Sequence, residues 1–364
     1  MRAALLEETG KPLTVVDDVD IESPGPGYVL VRITNCGLCH SDVSLVDGTF
    51  PPPLPIVLGH EAAGVIAAIG AGVTRVSVGQ PVVLTPCPPC GHCYWCARGE
   101  HSICVNVSSI ASNTFPDGTT RLSRRGELVY RGIGMGALAE FVLIQETGAI
   151  PLPAGVPAEI VCVIGCAVQT GVGAVLNTAR VEEGATVLVM GLGGVGISIV
   201  QGARLAGASR IIVSDPVSSR RDAAARFGAT DAIDPINGDV TSEVMRITGV
   251  GADYAFDAVG RAALVQTGLW STRSGGTTVI VGAAPVDQTV TFPPVLVTMG
   301  QKKIVGSLLG GSNPQLELPR LISLWQAGRL DLEGMVTARR PLAEINEAIA
   351  DLQAGVGIRT VMDI

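Results

Sequence analysis

The sequence has no surplus of positive charge: 25 Lys and Arg stand against 33 Asp and Glu in 364 residues, a formal charge of -8 at pH 7. Attracting phosphate backbones or anionic lipid needs the opposite balance, so neither nucleic acid nor a membrane surface is an expected partner. Charged residues of either sign are few, 16% against 47% hydrophobic, which is the reverse of a disordered chain. No basic segment followed by an apolar core opens the chain; Met1-Arg2-Ala3-Ala4 runs straight into strand-like alternation, and a cytoplasmic location is the default expectation. Internal repeats and low-complexity tracts are missing too, and Pro51-Pro52-Pro53 reads as a rigid loop. Two uncharged windows, Ile160 to Ala179 and Gly184 to Ala203, have bilayer length, but Gln169, Thr170, Asn177 and clustered glycines make them buried soluble elements.

What is present is enough chain for about two domains. Up to about Ile150, short apolar runs (Tyr28 to Ile33, Ala62 to Ile69, Phe141 to Ile144) alternate with Gly and Pro clusters, the pattern of a loop-rich, mostly β domain. From about Val161 to Gly310, apolar strands alternate with amphipathic helices: Thr186 to Met190, Val195 to Ala206, Arg210 to Ser214, Ser219 to Phe227. That alternation implies a parallel sheet with right-handed crossovers, hence an α/β chain. The tail returns to helix, Leu318 to Ala327 and Leu342 to Ala354, and ends in a strand, Arg359 to Met362. It is expected to rejoin the first domain, giving domains 1–167 with 311–364 and 168–310.

Gly191-x-Gly193-Gly194-Val195-Gly196 follows the strand Thr186 to Met190 and opens a helix. In that context the glycines let backbone approach a pyrophosphate, whose charge is stabilised by the free N–H groups of the helix N-terminus. Asp215 stands at the end of the next strand, where a carboxylate accepts hydrogen bonds from an adenosine ribose and repels a 2'-phosphate, so NAD is favoured over NADP. Arg220 and Arg221 nearby offer the opposite preference, since a guanidinium pairs with phosphate.

Nine cysteines in a chain expected in the cytosol point to metal or catalytic roles. Cys90, Cys93, Cys96 and Cys104 are close enough in one lobe, about residues 87–105, to form a closed tetrahedral thiolate cage for a structural Zn2+. His92 and His101 are then loop residues and Cys87 a buried thiol. Cys36-Gly37-Leu38-Cys39 lacks the βαβ surroundings of a redox motif. A second zinc set can be drawn from Cys39, His60 and Cys166: two thiolates and an imidazole leave a fourth position open, as catalysis requires.

These texts, with Cys36 to Asp42, Gly59-His60-Glu61-Ala62-Ala63-Gly64, Gly165-Cys166, Thr170-Gly171, Lys303 to Gly311 and Gly357-Ile358-Arg359-Thr360, resemble the zinc-containing medium-chain alcohol dehydrogenases over essentially the whole chain. The resemblance implies a GroES-like β catalytic domain, a Rossmann domain, and catalysis in the cleft between them. It implies Cys39, His60 and Cys166 as catalytic ligands, Glu61 as a carboxylate that can approach the metal, and Asp42 as the group orienting the histidine. His40 and Arg359 resemble pyrophosphate contacts, Thr170 and Val195 residues packed by nicotinamide, and Arg261 one beside adenine. Ser41 resembles the hydroxyl that takes the alcohol proton; Ser44 stands where the family often has a histidine to end that relay, so proton exit through water is the alternative. The segment Val105 to Met135 resembles the longer-loop, often dimeric branch, and the apolar stretch Thr289 to Val297 lies where family subunits pair, unless it is an internal strand.

The expected activity is hydride transfer between a small alcohol and NAD, assisted by one catalytic zinc beside one structural zinc, in a homodimer or homotetramer. A thiol-adduct formaldehyde dehydrogenase and an enzyme with a retained, recycling cofactor are variants of the same chemistry. A zinc module with a binding or structural role is the reading from another class, and it needs no open metal site.

Overall fold

The structure, a computed structural model, describes residues 1–364. It divides into two compact units: Met1–Ala167 with Ser312–Gly328 and Leu332–Ile364, and Val168–Gly311 with Arg329–Asp331. The last three residues group with the second unit because Asp331 pairs with Arg226 at 2.5 Å and donates its N–H to Gln201 at 2.7 Å.

In the first unit the strand Tyr28–Leu38 is central. Val29, Val31 and Ile33 point into the core and alternate with exposed Arg32, the two-residue period of a half-buried strand. It pairs antiparallel with Glu61–Ile69, with Phe141–Gln145, and at its far end with Arg359–Asp363. Pro81–Leu84 and Ala149–Pro151 extend one side of this seven-stranded sheet, and Val336–Pro341 closes the other. Ile66, Val82, Leu84, Val142, Ile144 and Met362 join the same core, which rigidifies the sheet ends from which the candidate ligands emerge.

The second unit is one parallel sheet of six strands. The spatial order is Asp231–Ile233, Arg210–Ser214, Thr186–Met190, Ala252–Asp257, Thr272–Ile280, Lys303–Gly306. The chain order reverses between Thr186–Met190 and Ala252–Asp257, the place where doubly wound sheets open a ligand crevice. Helices Gly194–Leu205, Ser218–Phe227, Val240–Thr248 and Ala262–Ser271 make the crossovers, and Leu188, Met190, Ile212, Val244 and Ala255 fill one core.

One expectation on local structure needs correction. The stretch Thr289 to Val297 is not a strand; Pro293 sets an extended entry and Pro294 starts a helix, Pro294–Gly300. Val295 at 62% and Met299 at 78% are exposed, Phe292, Leu296 and Val297 are half-buried, and the next strand, Lys303–Gly306, is the sheet's edge. No single helix is long and apolar enough to cross a membrane, and the pair that comes nearest, Ala158–Gly165 with Ala167–Ala179, is bent by 53° with Cys166 at the break.

The pairing of Tyr28–Leu38 with Glu61–Ile69 slips between Ile33 and Asn35. Gly64 sits opposite this irregularity, and a Cβ there would lie 2.1 Å from the Arg32 carbonyl oxygen, a backbone atom that cannot swing away. Gly64→Ala is therefore expected to destabilise the first unit by about 1–3 kcal/mol, read as a lower denaturation midpoint. An unchanged midpoint would show that the strands relax freely here.

Candidate metal centres and cofactor turn

The four lobe cysteines are gathered by tight turns: Cys93 caps the short helix Tyr94–Ala97, and Cys104 caps the turn Val105–Val107. Their sulfurs all lie within 4.8 Å of one another. A tetrahedron with about 2.3 Å metal–sulfur bonds has edges of about 3.8 Å, and Cys93 Sγ lies 3.8 Å from Cys104 Sγ. Backbone N–H groups donate to the sulfurs: Cys93 to Cys90 Sγ at 3.3 Å, Cys90 to Cys104 Sγ at 3.3 Å and Asn106 to Cys104 Sγ at 3.5 Å. Such bonds favour thiolate, and the Cys96 and Val105 backbone amides bring the Cys93 thiol down to about 6. His92 and His101 stay outside the group, each with Nδ1 on a backbone carbonyl, that of Cys90 and of Gly99. Cys87 is buried, and desolvation pushes its thiol up to about 12.

A second group forms at the ends of the large sheet, where the donor atoms of Cys39, His60, Glu61 and Cys166 lie within 4.8 Å of one another. Cys39 follows the central strand and precedes the helix His40–Val46; His60 immediately precedes the strand Glu61–Ile69. Asp42, fully buried, ties them together. Its Oδ2 accepts the Cys39 N–H at 3.1 Å, and its Oδ1 accepts the Gly59 N–H at 2.9 Å and faces His60 Nδ1 at 3.1 Å. With Nδ1 committed to a carboxylate, the imidazole has only Nε2 to offer a metal.

The donor set suits a divalent cation. The Cys166 thiol, against burial and with help from the Arg359 guanidinium, holds Cys39 well below the ordinary thiol range, while Cys166 is driven up by Cys39 and by burial. Burial alone would lower the His60 pKa, yet the Asp42 carboxylate and the Cys39 sulfur raise it well above the ordinary value. A metal ion displaces the protons that Cys166 and His60 retain, since only thiolate and neutral imidazole coordinate. Glu61, fully buried, is pushed up by desolvation to about 7 despite the pull of Arg359. Its Oε1 accepts the Ala167 N–H at 3.1 Å and pairs with Arg359 at 3.2 Å, whereas Oε2 has no partner.

In the second unit the glycine turn begins at the end of Thr186–Met190. Gly191 has φ +91°, and a Cβ on Gly196 would meet the Gly191 carbonyl oxygen at 1.8 Å, so both positions need glycine. At Gly193, which caps the helix Gly194–Leu205, a Cβ would meet nothing within 4 Å. That open approach to a helix N-terminus fits a pyrophosphate. Asp215 accepts the Leu192 N–H and the Val217 N–H, each at 2.8 Å, which braces the turn against the neighbouring strand. Arg221 is held by the Asp215 carbonyl at 2.6 Å and by Asp234 at 3.1 Å. Val195 is half-buried in the helix's first turn, Arg261 is exposed at the start of Ala262–Ser271, and buried Thr170 has a hydroxyl without a partner.

Two family models match this chain, the alcohol dehydrogenase GroES-like domain over residues 25–154 and the zinc-binding dehydrogenase domain over 194–327. A Mycobacterium tuberculosis protein provisionally named alcohol dehydrogenase D is 39% identical over 99% of this chain and 98% of its own. The chain belongs to the zinc-containing medium-chain alcohol dehydrogenases. An S-(hydroxymethyl)glutathione dehydrogenase of Synechocystis is 37% identical over 99% of both chains. The crystal structure of benzyl alcohol dehydrogenase from Acinetobacter calcoaceticus superposes with a TM-score of 0.94 at 30% identity, covering 100% of this chain and 99% of that one.

Sequence reading of this dehydrogenase did not anticipate the pairing of Arg359 with Glu61. Arg359 is 3% exposed; besides Glu61 it donates to the Leu38 carbonyl at 2.8 Å. Nothing in the text joins these positions; only the pairing of Arg359–Asp363 with the central strand does. For the metal centres, two zinc ions per chain are expected, and Asp42→Asn should weaken retention of one by about 10–100-fold while sparing the other. Competition with a chelator reads this directly. Equal weakening of both sites would mean that Asp42 merely supports the fold.

Proposed function

We propose that this dehydrogenase catalyses the reversible NAD-dependent oxidation of small alcohols to aldehydes or ketones. The observation that carries the reading is the convergence of Cys39, His60 and Cys166 within 4.8 Å, with Glu61 beside them. Three firm donors leave one position for substrate oxygen. Cys39, His60 and Cys166 would hold a zinc ion, which would supply a Lewis acid for the alcohol oxygen, and a bound nicotinamide would supply the hydride acceptor.

The chain's own residues then have distinct tasks. Asp42 fixes the His60 ring through Nδ1, and Arg359 holds Glu61. Ser41, half-buried, has its hydroxyl 3.8 Å from Cys39 Sγ, next to the donors, and is assigned to take the alcohol proton. Ser44 is not an ionisable successor: its hydroxyl donates to the His40 carbonyl at 3.2 Å, so the proton leaves through water. Exposed His40 and the Arg359 guanidinium are assigned to the pyrophosphate, together with Gly191, Gly193, Gly194 and Gly196. Asp215 takes the adenosine ribose, with Arg220 and Arg261 near the adenosine and Thr170 and Val195 against the nicotinamide. Arg221, already bonded to Asp215 and Asp234, is poorly placed to receive a 2'-phosphate, which supports NAD.

A second reading is favoured by the relative named S-(hydroxymethyl)glutathione dehydrogenase: the substrate alcohol is then a hydroxymethyl thioether. A homodimer is proposed, joined through the edge strand Lys303–Gly306 and the exposed apolar helix before it. Nine free cysteines suit a reducing, cytoplasmic setting.

Cys39→Ala should abolish turnover in an otherwise folded protein, and retained activity would remove the proposed mechanism. A panel of alcohols, with and without formaldehyde plus glutathione, followed by NADH absorbance, separates the substrate readings. In the same assay Asp215→Gly should shift preference toward NADP; an unchanged ratio would displace the ribose contact to another residue.

A further inference from the structure

Away from both metal groups, the first unit contains an arginine that is almost completely buried without an acidic partner. Arg131 is 2% exposed; Nη2 donates to the Leu143 carbonyl at 2.8 Å, and none of the ion pairs in the structure includes it. Its guanidinium lies 3.5 Å from the centroid of the Phe115 ring. The same ring carries a second cation, Arg121, at 4.8 Å. The nearby carboxylate, Asp117, is committed to Arg121 at 2.9 Å. Burial pushes Arg131 down to about 9, which still leaves it charged at neutral pH. One aromatic ring shared by two cations compensates a buried charge only in part.

A small cavity opens beside this guanidinium, lined by Arg131, Phe115, Ser109, Asn106 and Gln145. Its volume is about 10 Å³, small but sufficient for a single water-sized occupant or a little more. Ser109, 5% exposed, lines the same space, and its hydroxyl has no hydrogen-bond partner. The Asn106 amide nitrogen is already used by the Pro88 carbonyl at 2.7 Å and by Gln145 Oε1 at 2.9 Å. The cavity thus offers an uncompensated guanidinium and an idle hydroxyl donor, and no carboxylate lines it.

We propose that this cavity is a binding site for one small monovalent anion, a chloride or other halide. A water molecule would satisfy the Ser109 hydroxyl but leave the charge of Arg131 unbalanced, whereas a halide accepts from both groups and neutralises the charge. A cavity this small favours a monatomic anion over phosphate, sulfate or an organic carboxylate. The site joins two pieces of backbone. Ser109 lies on the helix Ser108–Ser112, and Arg131 precedes the turn Gly132–Gly134, where Ile133 is held at φ +54°, a left-handed conformation that is costly for a β-branched side chain. Asn113, just past that helix, accepts the Ile133 N–H at 2.9 Å. A bound halide is a second tie between the helix and this strained turn.

The test compares thermal unfolding of the zinc-loaded protein in sodium chloride and in sodium gluconate at equal ionic strength. Above its dissociation constant a specifically bound anion raises the midpoint steadily with each tenfold increase in concentration. The wild type should show this chloride-specific rise, Arg131→Met should lose it, and Arg131→Lys should keep part of it. No chloride-specific rise in the wild type, or the same rise in Arg131→Met, would overturn the proposal. If Arg131→Met does not fold, wild-type crystals grown in bromide decide. An anomalous peak beside the guanidinium and the Ser109 hydroxyl supports the site, and an ordinary water there overturns it.

Discussion

One buried carboxylate organises the chemistry of the first unit. Asp42 receives the Cys39 N–H, the Gly59 N–H and the His60 ring nitrogen, so it fixes the start of one helix, the approach to one strand and the orientation of one imidazole together. None of these contacts is strong alone; a net hydrogen bond is worth about 1 kcal/mol, more when one partner is charged. Their value lies in convergence. Cys39 and His60 stand on different elements of the sheet, and without a shared anchor their donor atoms would have no reason to meet within coordination distance. The acceptor capacity of a carboxylate, with two oxygens that can each take more than one bond, allows a single side chain to do this.

The two cysteine groups differ in how far the text alone could lead. The lobe thiols are close in sequence, so short turns suffice to bring them together, and spacing is nearly a sufficient description. For Cys39, His60 and Cys166 no local rule applies. Their approach depends on the antiparallel pairing of Tyr28–Leu38 with Glu61–Ile69 and on the break at Cys166 between two helices. Chemistry-bearing residue types could be picked out, but their grouping could not be derived from spacing and entered through resemblance. The Glu61–Arg359 pair was less visible still, because an arginine near a chain end reads equally well as a solvated strand terminus.

The α/β class and the parallel strands of the second unit were the most legible features, since a short apolar run before a glycine turn leaves little freedom: Thr186–Met190 ends at that turn, and the apolar Ile211–Val213 forms the centre of Arg210–Ser214. Ends set by hydrogen bonding were less so. The central strand continues to Leu38, beyond the alternating segment, because partner strands cover residues that periodicity would leave as loop. The stretch after Thr289 became a helix because Pro294 is well suited to a first helical position, which outweighed an apolar composition equally suited to a strand.

Charge balance links the metal centre to its surroundings. Once both thiols ionise, buried Cys39 and half-buried Cys166 bring two negative charges into a region that already holds the fully buried Glu61 and Asp42 carboxylates. A divalent cation answers the thiolates, and Arg359, paired with Glu61 and fixed to the Leu38 carbonyl, answers one carboxylate. Asp42 is stabilised differently, by two backbone N–H groups and the histidine. Each anion therefore has its own compensating partner, and the partners are not interchangeable. Loss of the cation would let protons return to Cys166 and His60, whereas loss of the guanidinium would leave the buried Glu61 carboxylate with only the Ala167 N–H as a partner. Arg131 shows the opposite balance in the same unit: a buried guanidinium with no carboxylate to answer it. Where the chain supplies no compensating charge, the remaining source is solvent, in the form of a mobile ion small enough to enter.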